Sequence, residues 1–172
     1  MAFNRYIDEK FDKLNPRTAV REIPAGIVQK SHALWFVIIN CLLFVVTTYF
    51  INALCFYLSP VALFVILFYS YTKRFTPLCH LVLGLGLSLA PVGAYLAVVG
   101  HFDTIPLLFS AIVFTWVSGF DILYALQDEA FDKANHLKSI PVLLGRHRAM
   151  YFSRFLHFIT ASIVVFIGLY HL

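Results

Sequence analysis

Charge is what this sequence has least of. Asp, Glu, Lys and Arg make up 13 % of its 172 residues against 60 % hydrophobic, and the mean hydropathy is +0.81. Soluble globular domains carry about 25 % charged residues, so the composition excludes that class and indicates an integral membrane protein. Cysteine is also scarce. Cys41, Cys55 and Cys79 share no CxxC spacing, which excludes a disulfide framework or a zinc site and leaves them as small apolar core residues. The N-terminus does not read as a signal peptide, being polar and mixed in charge, with its first apolar run starting near Ala33. The histidines share no metal-ligand spacing, and His136 and His147 read as solvated loop residues.

What is there instead is a series of long apolar runs. A bilayer core needs about 20 apolar residues per helix. Ala33 to about Phe50, about Ala53 to Tyr71, Leu81 to Val99, Thr104 to Leu126 and about Arg148 to Leu169 each supply a span, with Asn52 as a tight turn between the first two. The predicted class is all-α, a polytopic transmembrane helical bundle of about five spans. Pro60 and Pro91 fall inside spans, where proline is tolerated because neighbouring groups satisfy the freed carbonyl. The run Gly84 to Ser88, "GLGLS", has no strand before it and reads as small residues for close helix packing, not a nucleotide loop.

Every Lys and Arg precedes the first span, lies between the second and third, or lies between or near the fourth and fifth; the connections around Asn52 and His101 to Thr104 have none. By the positive-inside rule, segments of about 1–31, 72–80 and 127–147 face the cytoplasm of a multi-pass protein in the cell (inner) membrane. The net charge of +4 is then a topology signal, and no nucleic-acid module lies behind it. The bilayer is the one macroscopic partner the composition names, and no feature sets an oligomeric state.

Acids gather where apolar helices end. In "NRYIDEKFD", Asn4, Asp8 and Asp12 fall at i, i+4 and i+8, one face of a helix. In "DILYALQDEAFD", Asp121, Asp128 and Asp132 fall at i, i+7 and i+11, read as one face of a single helix with Tyr124 between. Stacked carboxylates repel one another unless a cation sits among them, and hard oxygen ligands suit Mg²⁺. A solvated helix end accounts for one such cluster; two of the same form, each with Arg17 and Arg21, Lys133 and Lys138, or Lys73 and Arg74 nearby, describe a diphosphate site.

These segments resemble the two aspartate-rich motifs of the UbiA superfamily of intramembrane prenyltransferases. "NRYIDEKFDKLNPRTAVREIPAG" is similar to the first, with Arg5 in place of the usual aspartate; "DILYALQDEAFDKANHLKSIP" is similar to the second; "YSYTKRFT" resembles the Tyr-x-x-x-Lys-Arg loop between them. The resemblance covers the whole chain, 1–172, as one partial domain, and the "LYALQD…FD" form is most like the branch that prenylates 4-hydroxybenzoate. It implies a nine-helix family fold of which this chain would hold the end of the second helix to the seventh, with Met1 an internal methionine or the chain a fragment. It also implies Mg²⁺ as cofactor, polyprenyl diphosphate and an aromatic acid as substrates, and quinone biosynthesis as the setting. Asn4, Asp8 and Asp12 would hold one metal, and Asp128 and Asp132 the other. Lys73 and Arg74 would bind the diphosphate, with Arg17, Arg21 and Lys138 as further candidates, while Asp121 and Tyr124 would serve the reacting groups. The acceptor stays open among 4-hydroxybenzoate, a dihydroxynaphthoate and a homogentisate-like ring, as does the prenyl length. Two rivals are an inactive truncated membrane fragment and a CDP-alcohol phosphotransferase, whose Asp-Gly-x-x-Ala-Arg motif the chain lacks.

Overall fold

The computed structural model describes residues 2–170, so Met1, expected above to be internal, lies outside the described residues. Eight helices follow in order: α1 (Ala2–Leu14), α2 (Lys30–Ile51), α3 (Ala53–Thr72), α4 (Cys79–Val99), α5 (Thr104–Ala125), α6 (Glu129–Ala134), α7 (Ile140–Leu144) and α8 (Arg146–Tyr170). Five of them, α2 to α5 and α8, are long and apolar enough to cross a membrane. Each matches a span read from the sequence to within one turn, and Pro60 and Pro91 sit inside α3 and α4 as expected.

The chain reverses at points that residue chemistry dictates. Asn52 alone joins α2 to α3 in extended conformation. Its side-chain oxygen accepts from the Cys55 amide at 2.8 Å, capping α3, and its amide donates to the Leu96 carbonyl of α4 at 2.8 Å. Gly100 ends α4 at φ +78, a left-handed cap that glycine adopts without steric cost. Asp103 starts α5 by accepting from the Thr104 amide. Ser139 caps α7, accepting from Val142 at 3.4 Å, with Pro141 in the first turn.

The second acid motif departs from the single helix expected of it. The α5 helix stops at Ala125, and residues 126–128 form a turn after which Asp128 opens the separate α6. The cause is a tightening of the last turn into i to i−3 bonds, Leu126 to Leu123 at 3.3 Å, Gln127 to Tyr124 at 3.3 Å and Asp128 to Ala125 at 3.0 Å. Asp121 therefore stays on the long helix while Asp128 and Asp132 ride on the short one.

The spans pack in series, α2 on α3, α3 on α4, α4 on α5 and α5 on α8. Outward faces carry exposed Trp35, Phe50, Phe64 and Phe158, as expected where the surroundings are lipid. Between the helices the residues are small and polar: Ser59, Thr72, Ser118 and Ser153 are all buried, an arrangement that lets backbones approach closely. The Thr115 and Thr160 hydroxyls meet at 2.7 Å across α5 and α8, and Ser153 donates to the Gly119 carbonyl at 2.7 Å. A Cβ placed on Gly84 would lie 2.1 Å from Ser118 Oγ and 2.8 Å from the Phe114 carbonyl, so the "GLGLS" run does serve close packing. Gly84→Val is expected to force α4 from α5, costing about 1–3 kcal/mol; a lowered melting temperature of the detergent-solubilised protein checks this, and an unchanged one would contradict it.

Candidate active site

Both acid sets line one cavity of about 660 Å³ at the end of the bundle where α1, the end of α3, the start of α4 and the end of α5 meet. Asn4, Asp8, Asp12, Arg17, Arg21, Lys73, Arg74, Asp121, Tyr124, Asp128 and Asp132 all contribute to its wall. Of the residues singled out from the sequence, Lys133, exposed on α6, and Lys138 are not brought to it; Lys138 is held by backbone instead. Its ammonium donates to the Phe75 carbonyl at 3.1 Å and its amide to the Lys73 carbonyl at 2.8 Å, so it joins two loops behind the site.

The α1 helix delivers the first set as its spacing requires. Asn4 Nδ2 donates to Asp8 Oδ2 at 2.8 Å, one turn apart on one face. Pro16 follows the helix, and the residue before a proline is disfavoured in helical conformation. The ensuing turn is organised by Asn15, whose side-chain oxygen accepts from the Arg17 amide at 3.0 Å. Its side-chain amide reaches across to Asp128 Oδ1 at 3.0 Å.

Each cavity acid is met by a basic group from another segment. Arg17 grips Asp128 with two nitrogens, Nε at 2.9 Å, and lies 5.1 Å over the Tyr124 ring while bonding its hydroxyl at 3.2 Å. Arg21 Nη1 spans both Asp12 oxygens at 2.9 and 3.0 Å. Arg74 holds Asp8 at 3.2 Å and the Ile7 carbonyl at 2.9 Å. Lys73 lies 2.7 Å from Asp132 Oδ1. Asp132 itself is 0 % exposed, so this ion pair is buried. Asp121 faces His80, Nδ1 to Oδ2 at 2.7 Å. Arg5, standing where the related motif has an acid, pairs with Glu22.

Sequence reading missed Asn15 and His80. Asn15 was visible as an Asn-Pro turn directly after the acid helix, and His80 as an ionisable side chain inside an apolar span, itself a sign of function. The other lining groups, among them Leu83, Leu87, Trp116, Val117 and Phe120, are mostly apolar and extend the cavity between α4 and α5.

The donor set suits a hard divalent cation. Among the described residues no three His, Cys, Asp or Glu converge on one point. Mg²⁺ does not ask for that, since it usually takes one or two carboxylates, several waters and substrate phosphate oxygens. Asp128 and Asp132 on one wall and Asn4, Asp8 and Asp12 on the other offer such oxygens to one cavity.

Burial pushes the Asp8 and Asp132 carboxyls above the usual carboxylate range, despite the bases beside them. For Asp128 burial acts in the same direction, but the hydrogen bonds from Arg17 and Asn15 outweigh it and hold the carboxyl below that range. A depressed folded-state pKa contributes stability that is present above the unfolded value and lost as pH falls through the folded value; a raised one favours the fold at lower pH. Removing the clasp with Arg17→Met should therefore flatten the acid limb of stability. Melting temperature between about pH 3 and about pH 6 should fall less steeply in the variant than in the wild type, and parallel profiles would contradict the assignment.

Comparison with known proteins agrees with this architecture. The UbiA prenyltransferase family matches residues 1–172. A 4-hydroxybenzoate octaprenyltransferase of Tolumonas auensis is 33 % identical over 96 % of this chain and 57 % of its own length. One of Francisella tularensis subsp. novicida is 30 % identical over 97 % of this chain and 58 % of its own. The apo structure of a UbiA homologue from Aeropyrum pernix K1 superposes with a TM-score of 0.91 at 33 % identity, covering 100 % of this chain and 66 % of that one. A digeranylgeranylglyceryl phosphate synthase structure shares the fold at a TM-score of 0.68 and 19 % identity, over 98 % of this chain and 59 % of that one. The chain thus spans somewhat under two thirds of the length of the relatives it matches. On the whole-chain match, with both acid motifs on one cavity wall, this protein belongs to the UbiA prenyltransferase family.

Proposed function

We propose that this chain carries the site of a Mg²⁺-dependent aromatic prenyltransferase, transferring a polyprenyl group from its diphosphate to 4-hydroxybenzoate or a related dihydroxynaphthoate in quinone biosynthesis. The observation that carries this reading is the convergence of two acid sets and five arginines and lysines on a cavity whose remaining wall is mostly apolar. The names of the relatives at 33 % and 30 % identity favour 4-hydroxybenzoate as the acceptor. In this reading residues 1–172 form one partial domain of an inner-membrane protein, with the cavity and the segments near 1–31, 72–80 and 127–147 on the cytoplasmic side, where all Lys and Arg lie.

The residues divide the work by chemistry. Asn4, Asp8 and Asp12 on one wall and Asp128 and Asp132 on the other would hold magnesium, which supplies positive charge against the leaving diphosphate. Lys73, Arg74, Arg17 and Arg21 bind the diphosphate oxygens, turning from their carboxylates as the substrate enters. Fixed positive groups directed at charge that builds during reaction are the largest lever such a site has. Leu83, Leu87 and Trp116 shelter the allylic carbon from water, which would otherwise capture it. Tyr124, beside Arg17 and 47 % exposed, stands where the diphosphate and the acceptor ring meet.

A second reading follows from coverage: a chain spanning 57 % of a relative can carry the site and not turn over alone. One assay separates the two. Membranes containing this chain are given radiolabelled polyprenyl diphosphate, Mg²⁺ and 4-hydroxybenzoate or dihydroxynaphthoate; prenylated product supports the enzyme, and retention of label without product supports the site-bearing but inert chain. Asp128→Ala and Asp132→Ala should each lower turnover by about 10²- to 10³-fold, the usual cost of losing one electrostatic stabiliser. Unchanged turnover in either would remove that residue from the site.

A further inference from the structure

The five carboxylates of the cavity wall do not have equivalent partners. Asp8, Asp12, Asp128 and Asp132 each face an arginine or a lysine, whereas Asp121 faces an imidazole. A guanidinium or ammonium is a permanent cation, while an imidazole belongs to a pair through which a proton can pass. Asp121 also stands deeper. It lies within the last turn or so of α5, next to Phe120 and inside the apolar part of the wall, and about a third of its side chain, 32 %, is open to the cavity. His80, at the start of α4 and 3 % exposed, supports it from behind. The second ring nitrogen, Nε2, is buried without a hydrogen-bond partner among the described residues, so the directed polar contact of this ring is the 2.7 Å bond from Nδ1 to Asp121 Oδ2. With Asp121 ionised the shared hydrogen is carried on Nδ1, and the imidazole donates.

We propose that His80 is a positioning residue for Asp121, holding its carboxylate toward the cavity so that it takes the proton the aromatic ring loses on prenylation. This rests on the prenyltransferase reading above. The allylic C–O bond breaks and diphosphate leaves with the electron pair. The ring carbon supplies the pair for the new C–C bond to the allylic carbon. The C–H bond at that ring carbon then breaks, its electrons restoring aromaticity and its proton going to the Asp121 oxygen that His80 does not hold. The other four carboxylates are those assigned above to magnesium, and Asp121 is the one on the wall left to take that proton.

The test uses this chain in membranes with three versions of residue 80. His80→Asn keeps an N–H donor near the Nδ1 position, and His80→Leu removes it. Turnover with polyprenyl diphosphate, Mg²⁺ and 4-hydroxybenzoate is measured beside melting temperature, and repeated with ring-deuterated 4-hydroxybenzoate. The expected result is a fall in kcat of about 10- to 100-fold for His80→Leu, with the KM for polyprenyl diphosphate within about twofold of wild type. A ring-deuterium isotope effect should emerge in His80→Leu that wild type lacks, and His80→Asn should recover most of the rate. Equal turnover of His80→Leu and wild type overturns the proposal alone. So does a loss shared by the Leu and Asn variants that follows melting temperature with no isotope effect, because that is the behaviour of a packing residue. Absence of both product and retained label from the wild type overturns the prenyltransferase reading itself, and the proposal with it; retained label without product overturns the proposal for this chain and leaves that reading standing.

Discussion

A charge at the margin of a hydrocarbon layer is costly unless an opposite charge or hydrogen bond meets it directly, and this constraint organises the entire cavity end of the molecule. Asp12 and Asp132 are almost wholly buried, and each is answered by a base. The answering groups come from far along the chain: Arg17 reaches Asp128 across 111 positions and Arg74 reaches Asp8 across 66. The ion pairs that line the site are thus the same bonds that hold α1 to the loop after α3 and that loop to α6. Removing one partner of such a pair leaves the other buried and unanswered, which costs more than the pair contributed. A ligand that brings both signs, cation and phosphate, is the one guest that can open these pairs without leaving any charge alone.

The two ends of the bundle solve opposite problems. Away from the site the exterior is apolar and the inter-helix space is filled with serine, threonine and glycine, so cohesion comes from close backbone approach and a few hydroxyl bonds such as Thr115 to Thr160. At the site the interior is charged and cohesion comes from reciprocal neutralisation. A single helix such as α5 passes through both regimes, with Ser118 packed against Gly84 and, one turn later, Asp121 bonded to His80.

The spans were legible because hydropathy and length respond to one strong physical requirement, and the Asn52 turn because asparagine caps helices by its own side chain. The Asn4, Asp8 and Asp12 face was legible because helical spacing is strictly local. What sequence reasoning could not see was non-local or marginal. The break at 126–128 depends on three i to i−3 bonds replacing the longer pattern, a choice of small energy that carries no compositional mark in "YALQD". The His80–Asp121 bond joins residues 41 apart and needs α4 packed on α5 before it exists. Lys138 was placed among the phosphate-binding candidates on charge alone; the structure uses its ammonium for a backbone carbonyl instead.

Asn52 has a mechanical meaning beyond its role as a turn. One side chain binds the start of α3 and, through the Leu96 carbonyl, the end of α4, and it does so at the end of the bundle opposite the cavity. At the cavity end the same two helices are joined by the short loop of residues 73–78, so their spacing is set at both ends, by one side chain at one and by the backbone at the other.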